Sequence, residues 1–164
     1  MSPELDPARL GDHLDRLFRA AWALTGSRED AEDLVQETYA RVLARPRWLR
    51  KEDDLGYLLV ALRKTFFNQR RTAARRPRTT ELPDDDVVVE ARTSTNPEAA
   101  LEAREVYAAV AALAPDFRDV IAAVDVAGLS YEEAAEALGV PTGTIMSRLY
   151  RARQQVVRRV EGTS

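Results

Sequence analysis

Cysteine is absent from the chain, and histidine occurs once, at His13. Without cysteine there is no disulfide framework, no thiol nucleophile and no thiolate metal site, which fits a reducing compartment. His13 lies among charged neighbours and reads as a surface residue, so no catalytic or metal-ligating residue is assigned and no cofactor is expected. No apolar run approaches the roughly 20 residues that a membrane helix needs. The first twenty residues alternate acids, bases and leucines without a signal-peptide core. These readings predict a cytoplasmic protein with no membrane insertion. Charge of one sign is also lacking: Lys+Arg 24 against Asp+Glu 27 leaves a net charge of -3. That balance argues against a generally DNA-adhesive protein and makes the distribution of charge more informative than its sum. A length of 164 residues with 45% hydrophobic content allows one domain or two small ones.

What is present in quantity is helical periodicity, and the fold class expected is all-α. Residues 8–24 carry Leu10, Leu14, Leu17, Phe18 and Ala21 at 3.6-residue spacing. Thr25-Gly26-Ser27 ends this helix, and Ser27 can cap the next. Over 28–44, Ala31, Leu34, Val35, Thr38 and Val42 share one face, while Glu29, Asp30, Glu32, Asp33, Gln36 and Glu37 line the other. Acids near the N-terminus suit the helix dipole, and Glu37 can pair with Arg41 at i, i+4. This face reads as a solvated helix side or as a docking surface for a basic partner. A carboxylate metal site is disfavoured because no Glu-x-x-His pattern occurs anywhere. Pro46 sets a boundary near Arg45, with Trp48 in the connecting segment.

A third helix is expected over 53–75. Its first half, through Leu62, is apolar nearly all round and must be buried. From Arg63 to Thr80 the character changes, with seven basic residues and no acid. Phe66, Phe67, Asn68 and Gln69 lie among those cations. Cations for phosphates, planar groups for bases and amides for base edges are what a nucleic-acid surface requires. Residues 77–97 lose the helical period, hold Pro77, Pro83 and Pro97, and cluster Glu81, Asp84, Asp85, Asp86 and Glu90. They read as an acidic flexible linker.

Asn96 followed by Pro97 is a cap with proline at the first helical position, and a helix through Leu113 follows with Leu101, Val106, Val110 and Leu113 on its face. Pro115 starts another, with Phe117, Val120, Ile121 and Val124 inward and Gly128 closing it. Ser130 and Glu133 then have capping-box spacing. Gly139 is a left-handed stop and Pro141 bars further extension. A second helix starts near Thr142 or Thr144, burying Ile145, Leu149, Ala152 and Val156 and showing Ser147, Arg148, Arg151 and Arg153 on its other side. A small-residue helix, a glycine turn and a basic second helix make a helix-turn-helix, whose second helix enters the DNA major groove. An ordinary helical hairpin with a solvated charged face is the plainer reading of the same pattern.

Three stretches together, residues 30–39, 61–71 and 129–153, resemble bacterial sigma factors of the extracytoplasmic-function type. That resemblance implies two small helical domains, a region-two-like bundle over 1–78 and a region-four-like bundle over 98–164, joined by the acidic linker 79–97. It implies an alternative sigma factor that directs RNA polymerase core to promoters and is not an enzyme. Asp33, Gln36 and Glu37 would dock the beta-prime clamp. Lys64, Asn68, Arg71 and Arg75 would meet the minus-ten element and its separated strand. Thr144, Ser147, Arg148 and Arg151 would approach the minus-thirty-five element in duplex form. The polymerase beta flap, promoter DNA and an anti-sigma factor are the further partners implied. The chain departs from the usual family pattern at Lys64, Asn68, Tyr57 and Met146, which bears on base preference; Met146 stands between a thymine-methyl contact and an interface. A stand-alone helix-turn-helix regulator is the alternative, although it leaves the basic-aromatic stretch without a task.

Overall fold

The structure is a computed structural model that describes residues 11–44, 54–75 and 96–162. Seven α-helices carry these residues, with no strand among them. A 3-10 turn, Gly11–His13, leads into α1, Leu14–Thr25. Then come α2, Arg28–Ala44, and α3, Asp54–Arg75. The second half holds α4, Pro97–Ala111; α5, Pro115–Val120; a π-helical segment, Ile121–Val126; α6, Tyr131–Leu138; and α7, Thr142–Gly162.

Helix ends form where local chemistry dictates. Gly26 takes φ 76° and donates its N–H to the Trp22 carbonyl, closing α1 in the left-handed conformation that glycine tolerates. The Ser27 hydroxyl accepts from the Asp30 N–H at 3.4 Å at the start of α2. Asn96 caps α4 through the Glu98 N–H, with Pro97 at the first helical position. Ser130 and Glu133 form the complete capping box of α6, at 3.0 and 3.1 Å. Gly139, at φ 70°, ends α6.

One hydrophobic core runs through both halves. α1 lies at its centre, packed against α2, α3, α4 and the π segment. Its inward positions Leu17, Ala20, Ala21 and Ala23 are fully buried, and three alanines in four positions let neighbouring backbones approach closely. Leu34 of α2 and Leu58 and Leu62 of α3 complete this side, while Val120, Ala123, Ile145, Leu149 and Ala152 fill the other. Gly26 marks a close approach between halves: a Cβ there would meet the Ala111 Cβ at 2.9 Å. Trp22 stacks on Tyr107 across the same junction, with centroids 4.3 Å apart and planes at 15°.

Several expectations are corrected. Leu14 is exposed at the first turn of α1 rather than inward. Leu101 and Val106 are 58% and 41% exposed, and only Val110 and Leu113 of their expected face are buried. Leu101 and Val106 are five residues apart, about 140° round a helix, so they cannot share one stripe. The helix expected from Pro115 widens into a π turn after Val120. Leu10, Trp48 and nearly all of the expected linker lie outside the described residues.

Candidate nucleic-acid interface

The 22-residue helix α3 has two unlike sides. Leu55, Leu58, Leu59, Leu62 and Phe66 are buried. Lys64, Asn68 and Arg71 are exposed on the opposite side, and Arg75 closes the helix at the next step of the same i, i+4, i+7, i+11 row. The row follows from the sequence: polar residues occupy the positions that the leucine stripe leaves to solvent. Phe67 is 38% exposed, with the Arg63 guanidinium 5.1 Å from its ring centroid. Cations, an amide and an aromatic edge on one outward surface can contact phosphates and stack on unpaired bases.

The second surface is α7. Ile145, Leu149 and Ala152 anchor it in the core, and Ser147 and Arg151 are exposed. Thr144 is half-buried. Arg148 is also half-buried and leans toward Asp116 of α5, Nη2 to Oδ2 at 3.8 Å. Arg153 is pinned to Asp125 by two hydrogen bonds, from Nε at 2.9 Å and Nη2 at 2.6 Å, and that carboxylate holds its guanidinium above the usual arginine range. Its charge is therefore committed within the fold, unlike that of Arg151. Met146 and Tyr150 stand out in solvent beside these residues, and Tyr150 had no part in the sequence reading.

On α2, Asp33 and Gln36 are exposed. Glu37 is held between two partners: Arg41 donates to Oε1 at 2.9 Å, and Gln69 of α3 donates to Oε2. Its carboxylate ties α2 to α3 as well as facing solvent. Among the described residues, no group of three or more His, Cys, Asp or Glu side chains is placed to hold a metal ion. No described helix is long and apolar enough to cross a membrane.

A charged cluster that sequence reasoning missed joins the two halves. Arg118 and Asp119 of α5 are 1% and 5% exposed. Arg63 of α3 donates from Nε to Asp119 Oδ2 at 2.8 Å, while Arg118 donates to Oδ1 at 3.2 and 3.3 Å. The Arg118 guanidinium also sits 4.9 Å from the Phe66 ring centroid. Asp119 thus carries two cations, and Arg118 shares its charge between a carboxylate and an aromatic face. The one hint in the sequence is an adjacent Arg-Asp pair running directly into the apolar stretch Val120 to Val124.

An exposed basic row on α3 and a partly exposed polar row on α7, the latter in a capped helix-turn-helix, give this all-helical fold two surfaces suited to nucleic acid. Residues 10–76 match the family described as Sigma-70 region 2, and residues 103–156 match Sigma-70, region 4. The chain is 37% identical over 148 residues to the ECF RNA polymerase sigma factor SigE of Mycolicibacterium smegmatis, covering 88% of this chain and 57% of that protein. It is 35% identical over 137 residues to the ECF RNA polymerase sigma factor EcfG of Rhodopseudomonas palustris, covering 83% of this chain and 74% of that one. The fold is similar to that of the sigma factor RpoE in complex with the anti-sigma factor NepR from Bartonella quintana, with a TM-score of 0.70, 25% identity and coverage of 94% and 95%. It also resembles CnrH in complex with the cytosolic domain of CnrY, with a TM-score of 0.64, 20% identity and coverage of 96% and 88%. The chain belongs to the extracytoplasmic-function (ECF) sigma factors of RNA polymerase. It spans little more than half the length of the first of these relatives.

Proposed function

We propose that the protein acts in the cytoplasm as an alternative sigma factor, docking on RNA polymerase core and bringing it to promoters that it reads at two places. The reading divides the chain into a promoter-melting domain over 1–78, a linker over 79–97 and a duplex-reading domain over 98–164. Asp33, Gln36 and Glu37 of α2 face the beta-prime clamp, and the duplex-reading domain meets the beta flap. Lys64, Asn68, Arg71 and Arg75 of α3 grip the minus-ten element and its separated strand. Thr144, Ser147, Arg148 and Arg151 of α7 approach the minus-thirty-five duplex. The polymerase supplies the chemistry; this chain supplies position and has no catalytic group of its own. An anti-sigma factor is the regulatory partner, a reading supported by one similar fold being that of a sigma factor bound to such a protein.

The observation that carries the proposal is the pair of polar rows, exposed on α3 and partly exposed on α7, in one chain of this family. A stand-alone regulator would need only the second. Single-round transcription with purified core polymerase tests it: the chain is expected to confer initiation at selected promoters. Core polymerase gaining no new start site from the chain would overturn the proposal. The net negative charge predicts weak unaided binding, so a gel shift at near-physiological salt is expected to show promoter binding with polymerase present and little without it.

A further inference from the structure

α7 has two flanks that differ in kind. Ile145, Leu149 and Ala152 face the core, whereas Met146 and Tyr150 are 54% and 65% exposed. Four residues apart, they stand one above the other on one side of the helix. Gly143, a turn earlier, is exposed too, and nothing lies within 4 Å of where a Cβ would sit. The cation nearest this flank by helical position, Arg153, is held by Asp125. Thr144, Arg148 and Arg151 occupy the opposite flank, with Ser147 between the two. The outward side of α7 is therefore polar and cationic along one edge and apolar along the other.

The apolar feature that base pairs present in the major groove is the thymine C5-methyl group. A methionine suits it: the unbranched thioether adapts its shape, and an adjacent aromatic body adds flat apolar area. We infer that Met146 and Tyr150 are specificity-determining residues that read thymine methyl groups, while Ser147 and Arg151 take polar base edges and phosphates. Gly143 leaves the first turn of the helix slim enough to sit deep in the groove. This inference rests on the proposed entry of α7 into the minus-thirty-five duplex and names the base feature that it recognises there.

The test uses holoenzyme assembled from core polymerase and the full chain, on a minus-thirty-five sequence selected from a random duplex library. Each thymine in that sequence is replaced singly by deoxyuridine, which removes only the methyl group. At one or two positions the replacement is expected to weaken promoter binding about four-fold, the value of one buried methyl group. Met146→Ala with Tyr150→Ala is expected to weaken binding to the thymine promoter and erase the thymine–uracil difference, while Met146→Leu retains much of it. Both residues are exposed, so these variants are expected to melt at the wild-type temperature. A wild-type holoenzyme indifferent to uracil at every position would overturn the inference, as would a thymine preference that survives in the double variant. Equal weakening on both promoters with reduced polymerase affinity would assign the pair to a protein interface and overturn it too. Scrambling the minus-thirty-five sequence separates the two levels. If scrambling abolishes initiation while uracil has no effect, duplex reading stands and only the methyl contact fails; if scrambling has no effect, duplex reading itself fails.

Discussion

Arg118 and Asp119 are costly to bury, because two charges leave water together. Their cost is offset by a closed set of partners: Asp119 receives Arg63 as well as Arg118, and Arg118 faces Phe66. Removing one member leaves a buried charge short of a partner. Arg118→Ala is expected to cost about 3–5 kcal/mol in denaturant unfolding, whereas Arg118→Met, which keeps volume, should cost less when made together with Asp119→Asn. Two glycines make a second contrast at this scale. Gly26 and Gly139 both hold positive φ, but only Gly26 faces a neighbour that a Cβ would strike. Gly139→Ala should lose about 1–2 kcal/mol from backbone strain alone, and Gly26→Ala clearly more, since α4 must also retreat. Thermal melting of the two variants side by side reads the difference.

The helices themselves were largely legible, because capping is local chemistry written over three or four residues. Ser130 with Glu133, Asn96 with Pro97 and the stop at Gly139 all stand where sequence spacing put them. The i, i+4 tie of Glu37 to Arg41 was legible for the same reason. Ser130→Ala is expected to cost about 1 kcal/mol by removing one side of the box on α6, and it should weaken helix-turn-helix function without touching the exposed face of α7. The family, too, was legible in three separated stretches. What was hidden depends on distant partners. Nothing local assigns Arg118 and Asp119 a buried place; α3, with Arg63 56 residues from Asp119, supplies the partner that does. The π turn over Ile121–Val126 was hidden for another reason: a run apolar in all but one position has no period to betray an extra residue. Glu37, read as paired with Arg41 on a docking face, is also tied to Gln69 by a fold contact 32 residues away.

For the molecule as a whole, the described halves share one core, and that packing conflicts with the proposed simultaneous reading of two promoter elements. A compact chain of this length is about 40 Å across. Elements centred 10 and 35 base pairs upstream are separated by about 85 Å of duplex. The twenty residues between Arg75 and Asn96 reach at most about 70 Å when extended, which together with the breadth of each half covers that distance. Promoter binding by holoenzyme is therefore expected to part α3 from α5, breaking the Arg63–Asp119 bond and the contact of Phe66 with Arg118. Asp119→Asn, which weakens both cation contacts, is expected to shift the free chain toward a more extended form in small-angle scattering. The Tyr107 hydroxyl, pushed above its ordinary value of 10.0 by burial with Arg19 pulling it back, adds a pH dependence. A raised folded-state value contributes stability in full below the unfolded value and loses it as pH rises through the folded one. The junction is expected to loosen above about pH 10, read by absorbance of the phenolate.

The stack of Trp22 on Tyr107, with Arg28 set 5.9 Å from the indole centroid, spans the seam that the proposed promoter binding would part. An indole moved from a stacked ring into water changes the colour and yield of its emission. The chain therefore carries a native optical gauge of its own state. With Trp48→Phe leaving a single indole, the unlabelled protein would signal capture by polymerase and promoter in real time through Trp22 fluorescence.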